Sequence, residues 1–302
     1  MSLFSLLGAI EIGLIFALVA LGVLLSFRLL RFPDLTVDGS FPLGGAVCAT
    51  LISKGADPFT ATAVATLAGA LAGLITGWLN VRLKIMDLLA SILMMIALYS
   101  VNLRIMGGPN VPLINDPTVF NVLQPAGLAD YWWRPILMLL IVVVAKLAMD
   151  WFFSTERGLA IRATGSNARM ARAQGINTGA MVLLGMAISN ALVGLAGALF
   201  AQTQGGSDIS MGIGTIVIGL AAVIVGEAIM PSRRIVYATL AVIVGAIVYR
   251  FFIALALNSD FIGLKAQDLN LVTAVLVAIA LVIPQLKRML QHRRLPDAPK
   301  SL

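Results

Sequence analysis

The chain has one cysteine, Cys48, one histidine, His292, and only 12% charged residues among 302. A lone cysteine excludes an intrachain disulfide, and a single histidine in a basic tail excludes a histidine-built metal centre. No Gly-x-x-x-x-Gly-Lys-Ser/Thr segment occurs, so this chain does not bind ATP through a phosphate loop. Long polar stretches are also missing, which leaves no room for a large soluble domain. What fills the chain is apolar. Hydrophobic residues make up 60% and the mean hydropathy is +0.98, beyond what a domain with a polar surface carries. The formal charge of +7 does not call for nucleic acid, because basic loops accompany any chain oriented in a bilayer.

The apolar runs are about 18 to 28 residues long and lack period-two alternation, so they predict helices and not barrel strands. The expected fold is an all-α, polytopic membrane bundle of one domain, 1–302. Nine passes are expected, at 4–27, 41–56, 58–80, 85–106, 132–153, 180–202, 211–230, 235–257 and 269–286. The first run lacks a basic residue before Arg28 and a small-residue cleavage site, and so reads as a retained span rather than a leader. Nine passes divide the 21 lysines and arginines sixteen to five. The larger group includes Arg28, Arg31, Arg82, Arg157, Arg162 and Arg169, which predicts an outside N-terminus and a cytoplasmic C-terminus. In the fifth pass, Trp132 and Trp151 are separated by about 28 Å of helix, the spacing of two interfacial aromatic belts. Gly69, Gly73 and Gly77 in the third pass predict a close helix-packing face.

The second pass is too short. From Phe41 it extends only about 20 Å, against a hydrocarbon core of roughly 30 Å. Before it stands FPDLTVDGSFPLGG, Phe32 to Gly45, with Asp34, Thr36, Asp38 and Ser40. Either this is a solvated turn beside a short helix, or it is the non-helical half of a broken span. Asp208-Ile-Ser-Met before the seventh pass echoes Asp34-Leu-Thr-Val before the second, with Gly212 matching Gly39. An odd number of passes separates them, so the copies have opposite topology. Inverted halves, about 1–153 and 180–286, with interrupted helices are one way in which transporters frame a midplane site. Asp34, Thr36, Asp38, Gly39, Asp208 and Gly212 are therefore the candidate broken-helix residues, the two glycines as places for a positive φ.

The segment 154–179 joins the fifth and sixth passes. Ser166 is expected as an N-cap, Asn167–Gln174 as a two-turn helix and Gly175 as its C′ residue. The pattern Gly158, Arg162, Ala163, Thr164, Gly165, Asn167, Ala171, Gly175, Ile176 resembles the coupling loop of ABC-importer permeases of the branched-chain amino acid and ribose family. GLIFALVALGVLLSF (Gly13 to Phe27), DLTVDGSFPLGGAV (Asp34 to Val47) and GLAAVIVGEAI (Gly219 to Ile229) stand in the family's order, and the likeness extends over nearly the whole chain. ILMMIALYSVNLRIMGGPNVPL (Ile92 to Leu113) is similar to the tryptophan and tyrosine permease branch. Arg169 and Met170 depart from the family's commoner Glu-Ala at that place. The resemblance implies a bacterial inner-membrane permease, not an enzyme, passing a small solute such as an amino acid. It implies a second permease copy as a homodimer, separate ATPase subunits that bind ATP and magnesium, and an external solute-binding protein received at Gly107–Asp130. Arg162, Gly165, Asn167, Met170, Ala171 and Gly175 are the implied ATPase-coupling residues.

Polar residues inside spans need partners. Asp87 and Glu227 are expected to pair with Arg82, Lys84, Arg233 or Arg234, while for Glu11 a backbone group and an external cation are the two candidate partners and its role is open. Ser91, Tyr99 and Asn102 in the fourth pass, with Asn190, Gln202, Gln204 and Ser210 on and after the sixth, form the candidate solute pathway. The competing reading is a stand-alone secondary transporter or channel with Glu11 or Asp87 at a coupling-ion site.

Overall fold

The computed structural model describes residues 3–114, 116–125, 129–232 and 234–257, with isolated positions 275, 278 and 282. Apart from those three positions, the predicted ninth pass, 269–286, lies outside the described residues, as do the basic tail with His292 and Arg233. In chain order the elements are α1 (Leu3–Val23), continued by a π-helical turn (Leu24–Leu29), α2 (Val37–Ser53), α3 (Pro58–Leu83), α4 (Asp87–Met106), β1 (Asn110–Pro112) and α5 (Val119–Val122). Then come α6 (Asp130–Ser154), α7 (Glu156–Ser166), α8 (Ala168–Ala173), α9 (Thr178–Gln204), β2 (Gly206–Asp208), a 3-10 turn (Ile209–Gly212), α10 (Thr215–Ile229) and α11 (Ile235–Leu257). Among the described residues, seven helical stretches are long and apolar enough to cross a membrane. The fold is a polytopic helical bundle.

Helix α1 is its axis. Its apolar window is 78% buried, against 28% for α4 and for α6. Leu14, Ile15, Leu18, Leu21 and Leu24 pack with residues of α6, α9, α10 and α11 in one core. A helix apolar on every side must be enclosed by protein or face lipid. Helix α1 does the first; α3, α4 and α6 show Leu71, Ile96, Leu140 and Leu147 outward. The aromatic belts mark the ends of α6: Trp132 and Trp151 are exposed near its two ends.

The glycine face of α3 lies on α9. A Cβ on Gly69 would meet the Asn190 carbonyl oxygen at 2.4 Å and one on Gly73 the Met186 carbonyl oxygen at 2.1 Å. Only hydrogen fits, so the backbones approach to the separation that small residues permit in membranes.

Contacts far apart in sequence agree with the order of passes. At one end of the bundle Arg28, closing the first span, pairs with Glu227 of α10 at 2.6 Å. At the same end Gly165 of α7 lies against the backbone of Leu29. At the other end β1 pairs antiparallel with β2, Asn110 opposite Asp208 and Pro112 opposite Gly206, tying the far ends of α4 and α9. Glu227 thus pairs with a residue outside the expected set, Arg28, which the end of the first span brings to α10. Asp87 likewise accepts from Asn80 Nδ2 at 2.5 Å, since Asn80 and Asp87 face each other across the turn between α3 and α4.

Two boundaries differ from expectation. Helix α2 begins at Val37, not Phe41, so Asp38, Gly39 and Ser40 are already helical. The segment between α6 and α9 holds two helices, not one. Ser166 closes α7, and the N-cap of α8 is Asn167, whose Oδ1 accepts from the amides of Arg169 and Met170, both at 3.1 Å.

Candidate functional site

The interruption before α2 begins as the first span loosens. Amide–carbonyl bonds widen to Leu30→Leu25 and Phe32→Ser26, Arg31 adopts φ +57°, and Pro33 holds Phe32 away from helical geometry. Asp34 then restarts the chain. Its Oδ1 accepts from the Thr36 amide at 3.0 Å, an Asx turn. Asp208 does the same toward the Ser210 amide at 2.7 Å. The matched Asp-x-hydroxyl triplets therefore have matched local geometry. Their surroundings differ: Asp34 is 1% exposed, whereas Asp208 is accessible, and the Ser210 hydroxyl and amide beside it lower its carboxyl below the usual carboxylate range.

The first copy is not a solvated turn. Asp34, Thr36 and Ser40 are all buried, and each is bonded to another span. Asn190 of α9 donates through Nδ2 to Asp34 Oδ2 at 2.7 Å and accepts from the Ser40 hydroxyl at Oδ1, also at 2.7 Å. Thr76 of α3 lies 2.9 Å from the Thr36 hydroxyl and is within 3.1 Å of the Ala72 carbonyl, so Thr36 is left to donate to it. Polar backbone buried in this way is tolerated only because protein groups take the place of water.

Asp38 reaches the second copy. Its carboxylate accepts from the amides of Gly214 at 3.3 Å and Ile216 at 2.7 Å. Gly214, with φ +80°, is the N-cap of α10 and has no side chain to supply the cap; Asp38 supplies it from another helix. Pro42 has no amide to offer the Asp38 carbonyl four residues earlier, and Gly212 packs there, where a Cβ would lie 2.1 Å from that oxygen. Neither Gly39 nor Gly212 has a positive φ; Arg31 and Gly214 take that conformation. Gly39 instead admits Leu98 of α4, which a Cβ would meet at 2.9 Å.

A cavity of about 540 Å³ opens where these pieces meet. Asp38 and Gly39 of α2, Tyr99 and Asn102 of α4, and Ser210 and Ile213 beside α10 line it. Three of the predicted pathway residues, Tyr99, Asn102 and Ser210, are thus brought together. The others are not. Asn190 belongs to the buried network, and the Ser91 hydroxyl donates to backbone carbonyls at Leu88 and Pro33. Gln202 locks four elements together at the β1–β2 end, accepting from the Val119 amide at 2.9 Å and donating to Thr62 at 2.9 Å and Cys48 Sγ at 3.2 Å. With Gln204 it borders a separate polar cavity of about 590 Å³ that includes Asp116 and Arg134. The expected continuous line is therefore divided: Tyr99, Asn102 and Ser210 border one cavity, Gln202 and Gln204 another, and Ser91 and Asn190 neither. Sequence reasoning missed Thr76 and Arg28. Thr76 had a signal, since it falls one residue before Gly77 on the close-packing side of α3.

On α7 and α8, Ile161, Thr164 and Ala171 are buried, while Asn167, Arg169, Met170 and Arg172 are exposed. Arg162 is half-buried. Gly175 has φ +83° after the last turn of α8, as its C′ place requires. Ala171 faces inward, so it anchors the loop rather than presenting a surface. In α1, Glu11 is buried with one carboxyl oxygen lacking a hydrogen-bond partner among the described residues.

Residues 5–283 match the family described as branched-chain amino acid transport system, permease component. The chain is 38% identical to the tyrosine transport system permease protein of Clostridioides difficile (strain R20291), over 95% of this chain and 94% of that one. It is 34% identical to an uncharacterized protein of Rickettsia prowazekii (strain Madrid E), over 91% and 96% respectively. Identity to the ribose import permease protein of Escherichia coli (strain K12) is 24%, over 84% and 78%. No solved structure matches the chain at a significant level. With a match along most of its length and a bundle of membrane-length helices, the chain belongs to the family of permease components of branched-chain amino acid transport systems.

Proposed function

We propose that this chain is the membrane-spanning subunit of an ABC importer, two copies standing over two ATPase subunits and receiving a small solute from an external binding protein. The solute class proposed is an amino acid, since the tyrosine transport system permease resembles this chain over nearly its full length. The observation that carries the coupling role is the α7–α8 unit. It is too small to be a domain, exposes Arg169, Met170 and Arg172, and touches the Leu29 backbone where the first span ends. A partner pressing on α8 therefore pushes on the segment that leads into Asp34. Placing that end of the bundle in the cytoplasm of a bacterial inner membrane follows from the sixteen-to-five division of basic residues. This chain supplies no phosphate loop, so ATP and magnesium belong to the ATPase.

Broken spans meeting inside the bundle suit alternating access, with the candidate inverted halves moving against each other about Asp38 and Gly212. Co-expression with an ATPase carrying a phosphate loop, followed by purification through a tag on this chain, tests the assembly. Two permease copies with two ATPases by mass are expected. A chain that purifies alone and takes up solute under a proton or sodium gradient contradicts the proposal.

A further inference from the structure

Helix α10 is held near each end by a side chain from another element. At its start the Asp38 carboxylate accepts from the amides of Gly214 and Ile216. Near its finish Glu227 accepts from Arg28 Nε at 2.6 Å. About 20 Å of helix separates Gly214 from Glu227. Between these two joints α10 makes close apolar contacts. A Cβ on Gly219 would lie 2.8 Å from Val23 Cγ2, and one on Gly226 would overlap the Ala241 carbonyl oxygen of α11. Apolar attraction is non-directional, so the joints supply the directional contacts.

Arg28 stands beside the α7–α8 unit. It belongs to the π-helical turn Leu24–Leu29, a rare geometry that is frequent at functional sites. The next residue is Leu29, whose carbonyl oxygen a Cβ on Gly165 of α7 would overlap. Ile161 of α7 shares one buried cluster with Leu25, Leu30 and Phe32. Helix α7 and the end of the first span therefore form one packed block, with Arg28 projecting from it to α10. Stability does not explain the pair. The Arg28 side chain is 58% exposed and that of Glu227 39%, and ion pairs so accessible contribute little to a fold.

We propose that the Arg28–Glu227 pair is the joint through which a push on α7–α8 reaches α10, and that α10 carries it to the Asp38 joint at the helix's other end. This rests on the permease reading. It adds to the route through Asp34 a second one, which ends on a wall of the Tyr99–Asn102–Ser210 cavity, since Asp38 and Ile213 line that cavity.

The test uses the full chain carrying Cys48→Ser and Ile213→Cys, co-purified with an ATPase that has a phosphate loop and held in nanodiscs. Ile213 is 70% exposed and precedes Gly214, so the rate of maleimide labelling after Ile213→Cys reports on the far end of α10. Magnesium ADP and magnesium ATP are the probes. The rate should differ about fivefold between them, the small end of the range for linked sites. Arg28→Glu or Glu227→Arg alone should remove the difference while the ATPase still co-purifies. The two together, which exchange the ends of the ion pair, should restore it. Should a reversed charge lower the yield of folded protein, Glu227→Gln keeps the side chain's shape and should show the same loss. A difference that survives both single reversals, a double reversal that stays unresponsive, or no difference in the pair-intact complex overturns the proposal and, with the ATPase bound, leaves the importer reading intact. Failure of the ATPase to bind the unaltered chain removes the importer reading, and the proposal with it.

Discussion

Replacing Asn190 with leucine leaves the Asp34 carboxylate short of a donor and the Ser40 hydroxyl short of its acceptor, both buried in the bundle. Each orphaned group costs about 1 to 3 kcal/mol. Asn190→Leu should therefore lower the unfolding midpoint in detergent clearly, whereas Ser154→Ala at an exposed helix end should change stability by no more than about 0.5 kcal/mol. Equal midpoints for the two variants would mean the network is hydrated. Gly212→Val makes the complementary test, because its side chain would enter the space held by the Asp38 carbonyl and Pro42. Overpacking of this kind costs about 1 to 3 kcal/mol, and both stability and uptake should fall. Much of this was legible in the sequence: Asp34, Thr36, Asp38 and Asn190 stood out as polar residues among long apolar runs. Their partners were not legible. Nothing local says that Asp38 caps a helix 176 residues away, or that Gly39 is there for Leu98 and not for a positive φ. Such facts belong to packing between spans, which a one-dimensional pattern does not encode.

At the level of elements, α8 decides whether the loop does more than satisfy charge distribution. Gly175→Val forces a β-branched side chain into φ +83°, which costs about 1 kcal/mol or more and frays the last turn. Met170 is 62% exposed and Ala171 only 4%, so Met170→Glu changes the outer surface, while Ala171→Glu would damage the loop itself. Met170→Glu should reduce co-purification of the ATPase severalfold with unaltered thermal stability; a normal yield of complex would make the loop a plain connector. The periodicity of apolar runs located the spans because their lengths are set by bilayer thickness. It misplaced the start of α2, because a polar helical turn is helical here only through tertiary bonds. It also missed α7, a polar helix whose buried stripe is just Gly158, Ile161 and Thr164, too sparse to show as amphipathic.

For the whole molecule, the order of passes is tied together by contacts at both ends, but which end is cytoplasmic rests on charge. In a Cys48→Ser background, Ser166→Cys should react with an impermeant reagent only from the cytoplasmic side and Asn110→Cys only from outside. Reaction of both from one side breaks the topology. The central claim is that transport by this chain is driven by ATP hydrolysed on a separate polypeptide. It is tested most directly in proteoliposomes holding the chain and its ATPase partner, with labelled tyrosine and binding protein on one side and ATP on the other. The account predicts uptake only when ATP and both polypeptides are present, and none under an imposed proton or sodium gradient. Gradient-driven uptake by this chain alone, without ATP, would contradict it.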